Sequence, residues 1–167
     1  PCALYRQLLL TVLVKEQNSA LTSAFNSLPQ GATIRLYVDG DFDSMQTLEY
    51  WFNLLRNRPD IQAYGYSKSW PLFTAYKGEF PSNYKLNLSS SGKHTDTAAI
   101  SKLSITRGEF IAVPIDKALQ GKYDNADYKS AVRTSAKQQG LDKVFVCPGK
   151  CGTCTKKGHA CGLDSFT

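Results

Sequence analysis

Apolar positions recur along this chain with two alternating periods, one near four residues and one near two, and turn signals separate them. Residues 4–28 carry Leu9, Leu13, Leu21, Phe25 and Leu28 on one helical stripe beside Ala20 and Ala24, which predicts a helix stopped by Pro29-Gln30-Gly31. Thr33–Val38 is dense in β-branched and aromatic residues and predicts a strand. The loop Asp39-Gly40-Asp41-Phe42 follows. Asp43, with Gln46 three residues on, predicts a capping box for a helix whose apolar face is Met45, Leu48, Trp51, Phe52 and Leu55, ended by Pro59. The alternation then repeats. Ile61–Tyr66 is a predicted strand, with a short helix from Trp70-Pro71. Lys85–Leu88 is the next strand, followed by the polar loop Ser89–His94 and a short helix over residues 96–103. Glu109–Val113 is a strand ending at Pro114. Asn125–Gln139 is a helix with Ala126, Ala131, Val132 and Ala136 inward and Gly140 as its stop. Lys143–Val146 is the last predicted strand and runs into Cys147.

Strands alternating with helices build βαβ units, so the expected fold is α/β with a mainly parallel five-stranded sheet and flanking helices. Five strands are too few to close an eight-stranded barrel, which leaves an open sheet or a partial barrel. In such folds the loops after the strands gather on one edge, and sites form there. That edge would collect Asp39, Asp41, Ser67, Lys68, Ser89 to His94, Asp116 and the segment beyond the last strand. At 167 residues the chain fits one α/β domain, residues 1–146, with a tail, residues 147–167, packed on it.

Composition narrows the class. With 42% hydrophobic and 20% charged residues the chain is not a disordered tail. The longest apolar run, Leu8–Val14, stops at Lys15, too short for a membrane span, so no membrane association is expected. A secretory signal is not expected, because the small-residue cleavage pattern is missing, and the start at Pro1 leaves room for residues upstream. Lys and Arg number 20 against 14 Asp and Glu; the net charge of +6 admits a phosphate-bearing partner without requiring one. Hydrolase nucleophile motifs, phosphate-binding glycine loops and dinucleotide fingerprints do not occur in the sequence.

Cysteine usage adds candidate chemistry. Four of the five cysteines, Cys147, Cys151, Cys154 and Cys161, fall within fifteen residues, which reads as a metal site in a reducing compartment. The Gly-rich run Cys147-Pro-Gly-Lys-Cys151-Gly-Thr-Cys154 can wrap four thiolates around one centre, with lysines offsetting their charge; local disulfides or free thiols are the alternatives. Zinc is the favoured ion, since four thiolates close its tetrahedral shell. A [4Fe–4S] cluster is the rival, because C-x3-C-x2-C is also the spacing of radical SAM enzymes. Against that rival stand the motif's place after the last strand, Thr153 before the third cysteine, and the fourth cysteine itself. His159 reads as a solvated histidine or as a substitute for one thiolate, and the role of Cys2 is open.

Asp39, Asp41 and Lys68 are the candidate catalytic residues. The carboxylates, placed beside a metal, would orient a ligand, bind a second cation or act as base; as turn residues they would simply lead into a helix. Lys68 pairs with a phosphate or carboxylate, or is a solvated loop lysine. Tyr64, Tyr66, Trp70, Phe73 and Tyr76 lie close in sequence to Lys68 and Lys77, a mixture suited to single-stranded nucleic acid.

Arg35-Leu-Tyr-Val-Asp39-Gly40-Asp41-Phe42-Asp-Ser44, a helix, and then Tyr64-Gly-Tyr66-Ser67-Lys68-Ser69 resemble the phage gene product 88 family, as do Asn87-Leu-Ser89-Ser and the late Cys-Pro-Gly-Lys-Cys-Gly-x-Cys. The resemblance implies a phage or mobile-element protein, at work in the cytoplasm of the infected or carrying host cell, with a parallel α/β core distantly like radical SAM proteins. Family members usually carry another cysteine group near the N-terminus, where this chain has Cys2. The first functional expectation is thus a metal-binding α/β protein with its four-cysteine site beside the strand-end loops. The alternatives are a module with a structural zinc that binds nucleic acid or a host protein, and an iron–sulfur redox or radical SAM-like enzyme.

Overall fold

A computed structural model describes residues 2–16, 19–90, 93–94, 97–142 and 144–147, with side chains from Gln7 onward. The chain divides into two compact units, one holding the described residues up to Phe110 and the other those from Ile111 on.

The first unit contains α1 (Cys2–Lys15), α2 (Ser19–Asn26), β1 (Thr33–Leu36), α3 (Met45–Asn57), β2 (Gln62–Ser67), α4 (Trp70–Ala75), β3 (Tyr84–Ser89), a single 3₁₀ turn (Ile100–Lys102) and β4 (Thr106–Phe110). Its four strands are all parallel and lie in chain order, β1-β2-β3-β4, with Leu36 opposite Gly65, Tyr66 opposite Asn87 and Ser89 opposite Phe110. When strand order follows chain order and every crossover has the usual hand, all the connections fall on one face of the sheet. The core has that form. Leu48, Phe52 and Leu55 of α3, Phe73 of α4 and Ile100 of the 3₁₀ turn share one apolar cluster with Leu36, Ala63, Leu86 and Leu88 from the strands. In β2 the alternation is plain: Ala63, Gly65 and Ser67 are buried, while Gln62, Tyr64 and Tyr66 on the other face are half-buried.

Local chemistry accounts for the boundaries. Ser44, not Asp43, caps α3: its hydroxyl accepts from the Thr47 amide at 3.2 Å. The predicted capping box does not form. Asp43 instead accepts from the Thr47 hydroxyl at 2.6 Å, and Gln46 donates to the carbonyl of Lys15 at 3.5 Å. Pro59 disfavours helical backbone at Arg58, which leaves the helix at φ −131°, ψ 68°.

Other expectations also need correction. The single helix over 4–28 is two helices, with Gln17 and Asn18 outside the described residues. The fourth strand is Thr106–Phe110, not Glu109–Val113. Ile105, 2% exposed, enters the core, and its carbonyl accepts from Leu86 at 2.8 Å, which sets the earlier register. The expected fifth strand is not formed over Val144–Val146, where Phe145 is 49% exposed; Lys143 lies outside the described residues. The sheet therefore has four strands among the described residues. The helix expected over 96–103 is reduced to the Ile100–Lys102 turn.

In the second unit, α5 (Ala126–Gln138) is capped by Asn125, whose side chain accepts from the Asp127 amide at 2.7 Å, and stops before Gly140 at φ +79°. Ser135 and Ala136 are its buried residues. A 3₁₀ turn at Lys117–Leu119 is capped by Asp116. Between that turn's approach and α5 lies a shallow cavity of about 480 Å³ lined by Pro114, Asp116, Asp127, Ser130 and Thr134.

Candidate functional site

The loops that follow β1 and β2 are locked together at the C-terminal edge of the sheet. Tyr37 leaves β1 at φ +54°, the one non-glycine residue at positive φ among those described. For an aromatic residue this backbone is strained, and packing must hold it. The ring is buried, 4.6 Å from that of Phe42, and its hydroxyl accepts from Trp51 Nε1 at 3.2 Å. Burial pushes the Tyr37 phenol far above its ordinary value. Gly40, at φ +86°, has the Gln7 carboxamide packed where a Cβ would stand; Gln7 Nε2 also donates to the Asp41 carbonyl at 3.0 Å.

Asp41 then joins the two loops. Its Oδ1 accepts from the Ser67 hydroxyl at 2.7 Å and from the Phe42 amide at 2.8 Å. Its Oδ2 accepts from the amides of Lys68 at 2.6 Å and Ser69 at 3.2 Å. Ser69 returns a bond from its hydroxyl to the Phe42 carbonyl at 2.7 Å. A carboxylate has about four lone-pair positions, and here four donors meet them. The arrangement makes Asp41 a tie between loops. Asp39 is half-buried three residues beyond β1; Lys68 gives its backbone amide to Asp41 and has an exposed side chain. Beneath these loops the Tyr84 hydroxyl is fully buried with no hydrogen-bond partner among the described residues, so close to Gly65 that a Cβ there would lie 2.7 Å away. Burial, with Asp41 and Tyr37 nearby, pushes its phenol far up.

The other face of the sheet carries no helix of the first unit among the described residues, and its residues are of a different kind. Arg35 of β1 lays its guanidinium over the Tyr66 ring, 4.7 Å from the centroid. Tyr66 meets Phe110 edge to face at 5.2 Å and Tyr64 at 6.4 Å. Lys85 of β3 alternates with buried Tyr84 and Leu86 and so belongs to this face. The Arg35 Nε–H is buried without a hydrogen-bond partner among the described residues.

Of the residues singled out from the sequence, Asp41, Ser67 and Lys68 are brought together. Cys147 is exposed in the second unit, and Cys151, Cys154, His159 and Cys161 lie outside the described residues. Among the described residues no group of three or more metal-ligating side chains occurs. Of the five aromatic residues grouped with Lys68 and Lys77, Trp70, Phe73 and Tyr76 are core residues, and Tyr64 and Tyr66 stand on the Arg35 face of the sheet. Sequence reasoning missed Arg35 and Phe110. A signal for the first was available, since a lone arginine inside the apolar run Thr33–Val38 must point away from whatever that run buries.

No curated protein and no solved structure matches this chain. The strand–loop–helix–strand segment with its Asp41 tie, and almost everything around it, falls within a match to the gene product 88 profile that runs over residues 4–163. The match spans nearly the whole sequence, and the protein belongs to the phage gene product 88 family.

Proposed function

We propose that this protein is a phage-encoded binding module that takes single-stranded nucleic acid on the sheet face of Arg35 and Tyr66 and holds a zinc ion on Cys147, Cys151, Cys154 and Cys161. The carrying observation is the row Arg35–Tyr66–Phe110, a guanidinium on an aromatic ring that in turn meets a second ring. Rings beside cations suit bases beside phosphates: stacking tolerates any base, and the charge follows the backbone. A buried N–H without an acceptor is costly, and a phosphate oxygen supplies a charge-assisted acceptor for Arg35. The net charge of +6 is of the right sign. In this reading Asp41 positions the strand-end loops, and Lys68, exposed at that edge, adds a phosphate contact. The zinc is structural: four thiolates complete its shell and leave no open position for chemistry.

Two measurements test this. Fluorescence anisotropy with oligothymidylate and with a matching oligouridylate should show affinity that falls steeply as salt rises. Lack of binding at low salt removes the nucleic-acid reading. Metal analysis of protein purified without oxygen should find one zinc per chain; visible absorbance with iron and sulfide would replace zinc by a cluster, and four reactive thiols with no metal would end the metal reading.

A further inference from the structure

Resting on the nucleic-acid reading above, we infer that Phe110 is the residue on which a base stacks, that Tyr66 is a positioning residue that holds its ring, and that Arg35 takes the adjoining phosphate. The three rings on the Arg35 side of the sheet are not equivalent. One face of Tyr66 is already covered by the Arg35 guanidinium at 4.7 Å, and Tyr66 further engages Phe110 at 5.2 Å and 80° and Tyr64 at 6.4 Å. A ring so surrounded is a support. Tyr64 is half-buried beside it. Phe110, by contrast, is 44% exposed, a large apolar side chain kept toward solvent at the end of an edge strand. Its backbone is fixed, since its carbonyl accepts from the Ser90 amide at 3.0 Å. Edge-to-face contact with Tyr66 fixes the ring's tilt and leaves ring surface for a stacked partner. The guanidinium lies within roughly 10 Å of the Phe110 ring through Tyr66, near enough for one nucleotide to place its base on the ring and its phosphate toward Arg35. Ring stacking alone reads no base edge, so the site should accept pyrimidines and purines alike.

The test uses the full chain, oligothymidylate and the matching oligouridylate. Phe110→Ala should weaken binding about 5- to 100-fold, the range of one lost stack, while the salt dependence keeps its slope. Arg35→Gln should instead flatten the log–log salt slope by about 0.7, the value of one phosphate on a single strand. Phe110→Trp should bind at least as well as the parent, and its new emission should be quenched by the oligonucleotide. The native Trp51 and Trp70 are 7% and 4% exposed and would not report such stacking. Parent protein that binds, with Phe110→Ala equally tight or Phe110→Trp emission unquenched, overturns this assignment and leaves the nucleic-acid reading standing. Parent protein that binds neither polymer at low salt overturns both.

Discussion

The two faces of one sheet carry different kinds of side chain. On the helix side, Leu36, Ala63, Leu86 and Leu88 meet Leu48, Phe52, Leu55 and Phe73, and most of these are under 5% exposed. On the other, Arg35, Tyr64, Tyr66 and Lys85 stand at the same levels of the same strands. Parallel sheets are usually covered on both faces and read as continuous apolar runs. Here β2 reads Gln-Ala-Tyr-Gly-Tyr-Ser, alternating as a half-solvated antiparallel strand would. The difference teaches that alternation inside a parallel strand marks a face that the helices of its own unit leave to other side chains. The sharpest way to break the comparison is to make one chemical change on both sides. Phe52→Ala, at 0% exposure, should cost about 3–5 kcal/mol in denaturant unfolding. Phe110→Ala, at 44% exposure, should cost under about 1 kcal/mol. Equal losses would mean that both faces are core.

A smaller effect probes how tightly the covered face is packed. Gly65 has the Tyr84 hydroxyl 2.7 Å from the place a Cβ would take, and Tyr84 is completely buried, so neither group has room to yield. Gly65→Ala should destabilise by about 1–3 kcal/mol through overpacking. Tyr84→Phe removes a hydroxyl that has no partner among the described residues, so by itself it should be neutral or mildly stabilising. Combined, the two should recover part of the Gly65→Ala loss, a coupling that a double-mutant cycle reads directly. Additive losses would show that the clash lies elsewhere.

How much of this was legible depends on which force decides each residue. The β1, β2 and β3 segments and the helices α3, α4 and α5 announce themselves, because burying one stripe or one face imposes a period on local sequence. The misplaced fourth strand and the missing fifth fail for one reason. Strand pairing is a contact with distant chain, and neither the Leu86 amide that meets the Ile105 carbonyl nor the non-strand backbone of Val144–Val146 is written locally. At the candidate site, the sequence placed Asp41 beside Ser67 and Lys68 correctly, from the rule that strand-end loops converge. It did not reveal that Asp41 meets four donors, because hydrogen-bond saturation depends on side-chain geometry. Nor did it separate Tyr64 and Tyr66 from Trp70, Phe73 and Tyr76, since aromatic residues serve cores and platforms alike.

The Asp41 tie gives a prediction of similar size that links stability to the site. Asp41→Asn keeps the shape but turns an amide nitrogen toward donors on one side of the group. It should cost about 1–3 kcal/mol, with amide exchange at Lys68 and Ser69 faster than at Leu86 in the middle of β3. If those two amides stay as protected as before, the tie is not what orders the loop.

The smallest expected effect lies at the opposite edge of the sheet, before β2, and it separates an edge that serves stability from one proposed to serve binding. Arg58 grips Asp60 with two bonds of 2.8 Å, and reaches the carbonyls of Asn26 at 2.9 Å and Leu28 at 3.1 Å, so the pair holds the end of α2 to the turn after α3. The hydrogen bonds from Arg58 draw the Asp60 carboxyl down to about 2, against partial desolvation and with help from the Gly31 amide. A depressed carboxyl contributes stability that is fully present above its unfolded value of about 3.9 and is lost as pH falls through about 2. Asp60→Asn should therefore flatten the acid limb of a stability–pH curve slightly between those values and lower the stability above it by the same small amount, because a solvent-screened pair contributes little. Oligonucleotide binding at neutral pH should be untouched, since Asp60 belongs to the edge where the strands begin and Lys68 and Phe110 to the edge where they end. An acid limb unchanged by Asp60→Asn would assign that loss of stability to other carboxylates, and a loss of binding at neutral pH would deny that the two edges are independent.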